Sequence, residues 1–204
     1  MSSPWRRLSY RELQKIDVNG DVLDLGGSRK SGYHELLGGA HNITVVNIAD
    51  DVGSDLSFDV EKTFPIEDKS YDVVLAINLL EHLYDGDNFF SETKRVLKKS
   101  GKVVIVVPFL MFYHPSPKDF VRYTEDALKK KLEEHGFKNI SVTSVGHGPG
   151  AVYTQMMGGV RGGRYLRPFV TPFLQLSDFV LSLLMDKSEM KKRFPLGYVV
   201  TANI

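Results

Sequence analysis

Within this 204-residue chain the residues best suited to chemistry are Val22-Leu-Asp-Leu-Gly-Gly-Ser28, an apolar run that ends in an acid and passes straight into paired glycines. Gly26 and Gly27 lack a Cβ, so the backbone there can take a positive φ and come directly against a ligand. Asp24 stands near the carboxyl end of the strand, where open α/β sheets bind small molecules. These are the ingredients of a cofactor cradle. The continuation Gly26-Gly27-Ser28-Arg29-Lys30-Ser31-Gly32 has neither the Gly-x-Gly-x-x-Gly spacing of a dinucleotide site nor the Gly-Lys-Ser/Thr ending of a phosphate loop. NAD and ATP both lose ground as ligands.

The same residues resemble the first motif of class I S-adenosylmethionine (SAM)-dependent methyltransferases, written apolar-Leu-Asp-apolar-Gly-x-Gly. The segments that follow extend the likeness in order: Asp59-Val-Glu-Lys-Thr-Phe-Pro65, Ser70-Tyr-Asp-Val-Val74, Asn78-Leu-Leu-Glu-His82, Arg95-Val-Leu-Lys-Lys-Ser-Gly101, Val106-Val-Pro-Phe109 and Glu134-His-Gly-Phe137. Together they resemble the broad type 11 methyltransferase group. Pro117-Lys-Asp-Phe-Val-Arg-Tyr-Thr124 resembles an element of a branch associated with modification of glycans and their lipid carriers. The likeness spans about residues 20 to 150 and the last strand.

That resemblance implies roles for particular residues. Gly26, Gly27 and Ser28 form the loop that meets the zwitterionic amino acid end of SAM, and Asp24 pairs its ammonium directly or through water. The motif's second glycine falls at Ser28 and a third would fall at Lys30, which makes this loop less permissive than usual. The ribose acceptor is expected at Asn47, with Ile48 beside it, where a carboxylate commonly sits. An amide accepts such a bond about half as strongly as a charged group, which leaves Asp50 as the alternative. Asp59 corresponds to the acid that meets the adenine amino group, and Val60 offers its backbone N–H to the ring. Asn78 and Leu79 line the floor.

Methyl transfer from a sulfonium is an in-line displacement by an activated donor, so a base is needed only where the acceptor must lose a proton. His82 and His114 are the candidates, because histidine titrates near working pH. His114, in the loop Phe112-Tyr-His-Pro-Ser-Pro117, is preferred. Asp119, Arg122 and Tyr123 form a polar set able to orient a hydroxylated or anionic acceptor, with an internal Asp119–Arg122 ion pair as the competing reading.

Positioning these residues requires a regular alternation of apolar strands and amphipathic stretches, which reads as βαβ units around a mainly parallel sheet. The expectation is a Rossmann-like three-layer α/β sandwich of seven strands, the last antiparallel. Its strands are 21–25, 43–47, a weak third near 56–58, 71–77, 102–107, 139–145 and 197–203. Ser9 and Glu12 suggest a capping-box start for a leading helix that ends by the Asn19-Gly20 turn. Phe89, Thr93, Val96 and Leu97 keep helical spacing, with Lys98-Lys99 and Gly101 closing that helix. Thr124 caps the next helix and Gly136 stops it.

Composition bounds the rest. With 42% hydrophobic and 25% charged residues the chain is a single domain, 1–204, able to bury a sizeable core. A net charge of +1 lacks the basic field of a dedicated nucleic-acid binder. The absence of cysteine removes disulfides and cysteine-ligated zinc, and no metal is expected. Met1-Ser-Ser-Pro-Trp-Arg-Arg7 has no apolar signal core, so a cytoplasmic location is the expectation.

Between the last two strands lies an apolar and basic insertion, about 147–195, too long for a hairpin. It opens on the flexible runs 146–150 and 158–163 and becomes apolar from Phe169 to Met185. Thr171, Gln175, Asp178, Ser182 and Asp186 fall on one helical stripe and leave a wide apolar remainder. Pro172 and Asp178 speak against a membrane span. The readings are a helix packed on the sheet edge, a lid, a dimer contact or a peripheral membrane helix flanked by basic residues. The reading is therefore a SAM-dependent methyltransferase for an oxygen of a small, sugar-containing or lipid-linked acceptor. A protein or RNA methyltransferase and a non-catalytic SAM-binding regulatory module are the alternatives.

Overall fold

A computed structural model describes residues 3–48 and 53–204. Its centre is a sheet of six strands in the order β2-β1-β3-β4-β6-β5. These are β1 (Gly20–Leu25), β2 (His41–Val46), β3 (Tyr71–Ile77), β4 (Leu97–Pro108), β5 (Lys138–Val145) and β6 (Gly197–Asn203). The first four run parallel, and β6 is antiparallel to both β4 and β5. The central strands read as unbroken apolar runs because both faces are covered. Val73, Leu75 and Ile77 point into one core with Trp5, Leu8 and Leu13, whereas Val74 and Ala76 point into the other with Phe89, Phe90 and Leu128.

The expected seventh strand is absent among the described residues. Near 56–58 only Leu56 pairs, in an isolated parallel bridge to Val46. The Asp55 carboxylate takes the Val45 N–H at 2.8 Å, occupying a donor that a continuing ladder would need. The βαβ pattern is also incomplete: β1 and β2 are joined by a loop with one short 3-10 turn, His34–Leu36.

The helices form the outer layers. The first, α1 (Pro4–Leu13), begins six residues earlier than the capping-box reading, because the Ser3 hydroxyl accepts the Arg6 N–H at 3.2 Å and Pro4 sits where a helix has no use for its missing donor. Ser9 is buried inside the helix and bonds back to the Arg6 carbonyl. Next, α2 (Asp87–Val96) ends at Val96, so Lys98, Lys99 and Gly101 already belong to β4 rather than to a helix terminus. There the Lys98 ammonium reaches Asp72 at 2.7 Å and Asp21 at 3.3 Å, holding neighbouring strand ends together. The α3 helix (Glu125–Glu134) is capped by the Thr124 hydroxyl and stopped at Gly136, whose φ is +75°.

The insertion is helical: α4 (Pro149–Met156), α5 (Gly163–Leu184) and α6 (Lys187–Arg193). Part of the glycine run expected to be flexible is thus the first turn of α4, started by Pro149. The axes of α5 and α6 meet at a bend of 120°, and among the described residues no single helix is long and apolar enough to cross a membrane. Asp178 fixes α5 to α4: its carboxylate accepts the N–H groups of Gly150 and Ala151 at 2.7 and 3.0 Å. Two of the unpaired donors at the start of α4 are satisfied in this way.

Candidate cofactor and acceptor cleft

A cavity of about 520 Å³ opens at the carboxyl edge of β1, β3 and β4, with Trp5, Arg6, Gly26, Asn78, Glu81 and His114 among its lining residues. Its size and place suit a small molecule. The glycine turn forms one wall. Gly26 has φ +72°, and a Cβ there would come within 2.7 Å of the Leu79 side chain. Its N–H is held by the Val46 carbonyl at 2.8 Å, and the Asn47 amide donates to the carbonyls of Gly26 and Gly27 at 3.2 and 2.8 Å. A residue at the end of β2 therefore braces the turn that follows β1.

Asp24 is fully buried behind this turn. Its carboxylate accepts from the Tyr33 hydroxyl and lies 2.6 Å from His34 Nε2, while Oδ1 has no hydrogen-bond partner among the described residues. Burial pushes the pKa of this acid up against the opposing pull of the His34 and Tyr33 hydrogen bonds. On the floor, Asn78 has φ +52°, a conformation rare outside glycine. It is held by its N–H to the Val106 carbonyl at 2.7 Å and by the Trp5 indole N–H donating to its side-chain oxygen at 2.8 Å. Through Trp5 the helix α1 becomes a wall of the cleft.

The far wall carries a cluster of titratable groups. Glu81 is buried with neither carboxylate oxygen bonded among the described residues, and burial pushes its pKa up to about 8. The rings of His82 and His114 lie 5.6 Å apart, and His82 Nδ1 is 2.5 Å from the Lys118 carbonyl. Burial lowers the His114 pKa, assisted by the nearby His82, and His114 Nδ1 is buried without a partner among the described residues. Asp119 accepts the His114 backbone N–H at 2.9 Å and forms a two-pronged pair with Arg122, which holds the Asp119 carboxyl below the usual carboxylate range. That pair fixes the loop carrying His114.

Residues 23–105 match the family model described as "Methyltransferase domain". Over those residues the chain carries a SAM-dependent methyltransferase domain. A probable SAM-dependent methyltransferase of Mycobacterium tuberculosis is 31% identical over 91 residues, covering 42% of this chain and 33% of that protein. One of Mycolicibacterium smegmatis is 32% identical over 92 residues, covering 42% and 36%. The chain thus spans about a third of the length of these relatives. Among solved structures, a SAM-dependent methyltransferase from Archaeoglobus fulgidus superposes with a TM-score of 0.60 at 17% identity, covering 98% of this chain and 94% of that one. Phosphoethanolamine N-methyltransferase 2 of Haemonchus contortus, in complex with SAM, gives 0.58 at 14% identity over 98% and 51%. These low-identity matches speak to the fold.

In this methyltransferase domain the expected site residues divide into groups. Gly26, Ser28, Asn78 and His114 line one cavity, with Leu79 packed against Gly26. Asp24, Gly27 and Asn47 stand directly behind the turn. Asp59 and Val60 lie apart from the cavity lining: Asp59 pairs with Lys62 at 3.3 Å, and Val60 is buried with its carbonyl toward the Asn88 amide. Ile48 is exposed, and Asp50 is outside the described residues. Of the acceptor set, Asp119 and Arg122 are engaged with each other, as the competing reading held, and Tyr123 is buried in the core with its hydroxyl toward Gly86. Glu81 is a buried wall of the cleft. The cleft residues that sequence reasoning missed, Trp5, Arg6 and Tyr33, arrive through long-range docking; only the acidic residue beside His82 was a local signal for Glu81.

Proposed function

We propose that the protein transfers a methyl group from SAM to an oxygen of a small, sugar-containing or lipid-linked acceptor. The observation that carries this reading is one cavity joining a glycine turn to a histidine, His114, whose Nδ1 is buried without a hydrogen-bond partner among the described residues. The residues present fit the cofactor. Gly26 lines the cavity, Gly27 has no Cβ to strike the Asp24 carboxylate and so lets the turn close over that acid, and the unbonded Asp24 Oδ1 suits a cationic amino group. Gly26, Gly27, Ser28 and Asn78 would hold it, with Asn47 bracing the turn and offering the polar group nearest the end of β2. When bound, SAM supplies a methyl group already activated on a sulfonium.

The chain's own tasks are then orientation and proton handling. His114, its pKa lowered by burial, is a neutral imidazole at pH 7 and can take the acceptor's hydroxyl proton as oxygen becomes the nucleophile. Asp119 and Arg122 keep its loop in place. Two measurements test the assignment. SAM and S-adenosylhomocysteine are expected to bind by calorimetry, NAD is not, and Gly26→Val, which drives a branched side chain into Leu79, is expected to abolish binding in a folded protein. His114→Ala is expected to keep SAM affinity and lower transfer by on the order of 100-fold. Unchanged SAM affinity in folded Gly26→Val removes the cofactor site, and unchanged transfer in His114→Ala removes the base.

A further inference from the structure

We infer that α5 is a membrane-surface helix that seats the protein on an anionic lipid bilayer. Amphipathic helices of a folded domain normally turn apolar residues inward, and α5 does the reverse. Asp178, 8% exposed, is held by the α4 amides, and Thr171 and Ser182 of the same stripe line a cavity between α5 and α1. The opposite face is apolar and open: Phe169 is 74% exposed, Phe173 75%, Leu176 59%, Leu183 70% and Leu184 79%. With Val180, 49% exposed, completing the three- and four-residue spacing from Phe169 to Leu183, these side chains form one stripe running about 22 Å along the helix to Leu184. A contiguous apolar surface of that kind marks an interaction site.

Charge selects the occupant. Residues 160–195 hold seven Lys and Arg against three acids, a net of +4 from 7 − 3. One of those acids, Asp178, is consumed by the α4 amides, and another, Glu189, pairs with Arg193 at 2.8 Å. Exposed Arg161 precedes the stripe, while exposed Lys187 and Lys192 follow it. Lys187 and Lys191 also line the cavity of about 470 Å³ beneath α5, together with Arg7 and His147. A second copy of this chain packed on the stripe would bring like charges together. A leaflet containing anionic lipid offers apolar depth for the phenylalanines and negative charge at both ends. Asp178, buried against the α4 amides, keeps the polar face toward the protein, so the helix lies on the bilayer and does not cross it.

Vesicle co-sedimentation tests this without SAM or any acceptor, so it succeeds or fails independently of the methyl-transfer reading. Wild-type protein is expected to pellet with phosphatidylcholine vesicles containing phosphatidylglycerol about tenfold better than with phosphatidylcholine alone, and less as salt rises. The triple variant Phe169→Glu, Phe173→Glu, Leu183→Glu is expected to lose about tenfold or more of that binding with its melting temperature unchanged. Should the triple variant not fold, Phe173→Trp with lipids brominated in the acyl chains gives the answer: quenching beyond that of Trp5 supports insertion, and its absence overturns it. Wild-type protein that ignores anionic vesicles, a triple variant that pellets like wild type, or a wild-type dimer that the triple variant breaks while vesicles are ignored each overturns the proposal.

Discussion

Glu81 and Asp178 are both carboxylates with almost no exposed surface, one in the cleft at the carboxyl edge of the sheet and the other on the inner face of α5. Asp178 has both oxygens bonded to backbone amides, at 2.7 and 3.0 Å, and thereby ties two helices together. Glu81 has no hydrogen-bond partner for either oxygen among the described residues, its nearest charge contact being His82 Nε2 at 3.8 Å, and burial pushes its pKa up to about 8. A satisfied buried acid supports structure, because removing it strands its donors. An unsatisfied one weakens the fold at the pH where it ionises and is tolerated where something else is meant to meet it. The contrast separates a region built for binding from one built to hold a helix in an unusual orientation.

The sharpest way to break the comparison is Asp178→Ala. It leaves the Gly150 and Ala151 amides without an acceptor, and bonds to a charged group are worth about 1.5 to 3 kcal/mol each, so a loss of about 4 kcal/mol in urea unfolding is expected. SAM affinity should hold. Glu81→Gln is expected to act with the opposite sign. The folded state keeps a proton on Glu81 up to about pH 8, whereas the unfolded chain releases it near 4.5. Wild-type stability from this group is therefore greatest below pH 4.5 and is lost as pH rises toward 8. Between pH 5.5 and 7.5 the variant should gain on wild type by about 3 kcal/mol, at about 1.4 kcal/mol per pH unit. A flat difference across that interval would mean that Glu81 is ionised or hydrated in the folded protein.

Smaller effects sharpen the boundary between the regions. Asn47→Ala removes both braces from the glycine turn and should weaken SAM binding by about 1 to 2 kcal/mol in calorimetry. If Asp50→Ala is the damaging change and Asn47→Ala is silent, the ribose role belongs to Asp50. Phe173→Ser should shift unfolding free energy by no more than about 0.5 kcal/mol, since its side chain faces outward. A loss of several kcal/mol there would show that the apolar stripe of α5 belongs to the core.

Much of the fold was legible. Tyr71–Ile77 and Gly197–Asn203 were readable as strands to the residue, because runs such as Val-Val-Leu-Ala-Ile, buried on two faces, have no other comfortable state in a chain of this length. The Thr124 cap and the Gly136 stop were readable because capping is a matter of a few adjacent atoms. The failures also have local causes. Ser9-x-x-Glu12 satisfies the capping pattern, yet Ser3, followed by Pro4, caps the helix six residues earlier. Lys98 and Lys99 look like helix-end charges until Asp72 and Asp21 are found across the sheet.

The candidate site was readable only in part, and the insertion shows why. Sequence by itself determined the glycine turn after β1, the α/β architecture with a reversed last strand, and the existence of a two-faced helix within 165–186, since each depends on residue type and spacing along one stretch of chain. Tertiary structure alone decided that Trp5 would meet Asn78, that Glu81 would be sealed into the cleft without a partner, and that α5 would turn Asp178 inward and Phe173 outward. Periodicity specifies that a helix has two unlike faces. Which face is buried depends on what the rest of the fold offers it, and here the offer was the unpaired amides at the start of α4, groups that bind a carboxylate more strongly than a phenyl ring.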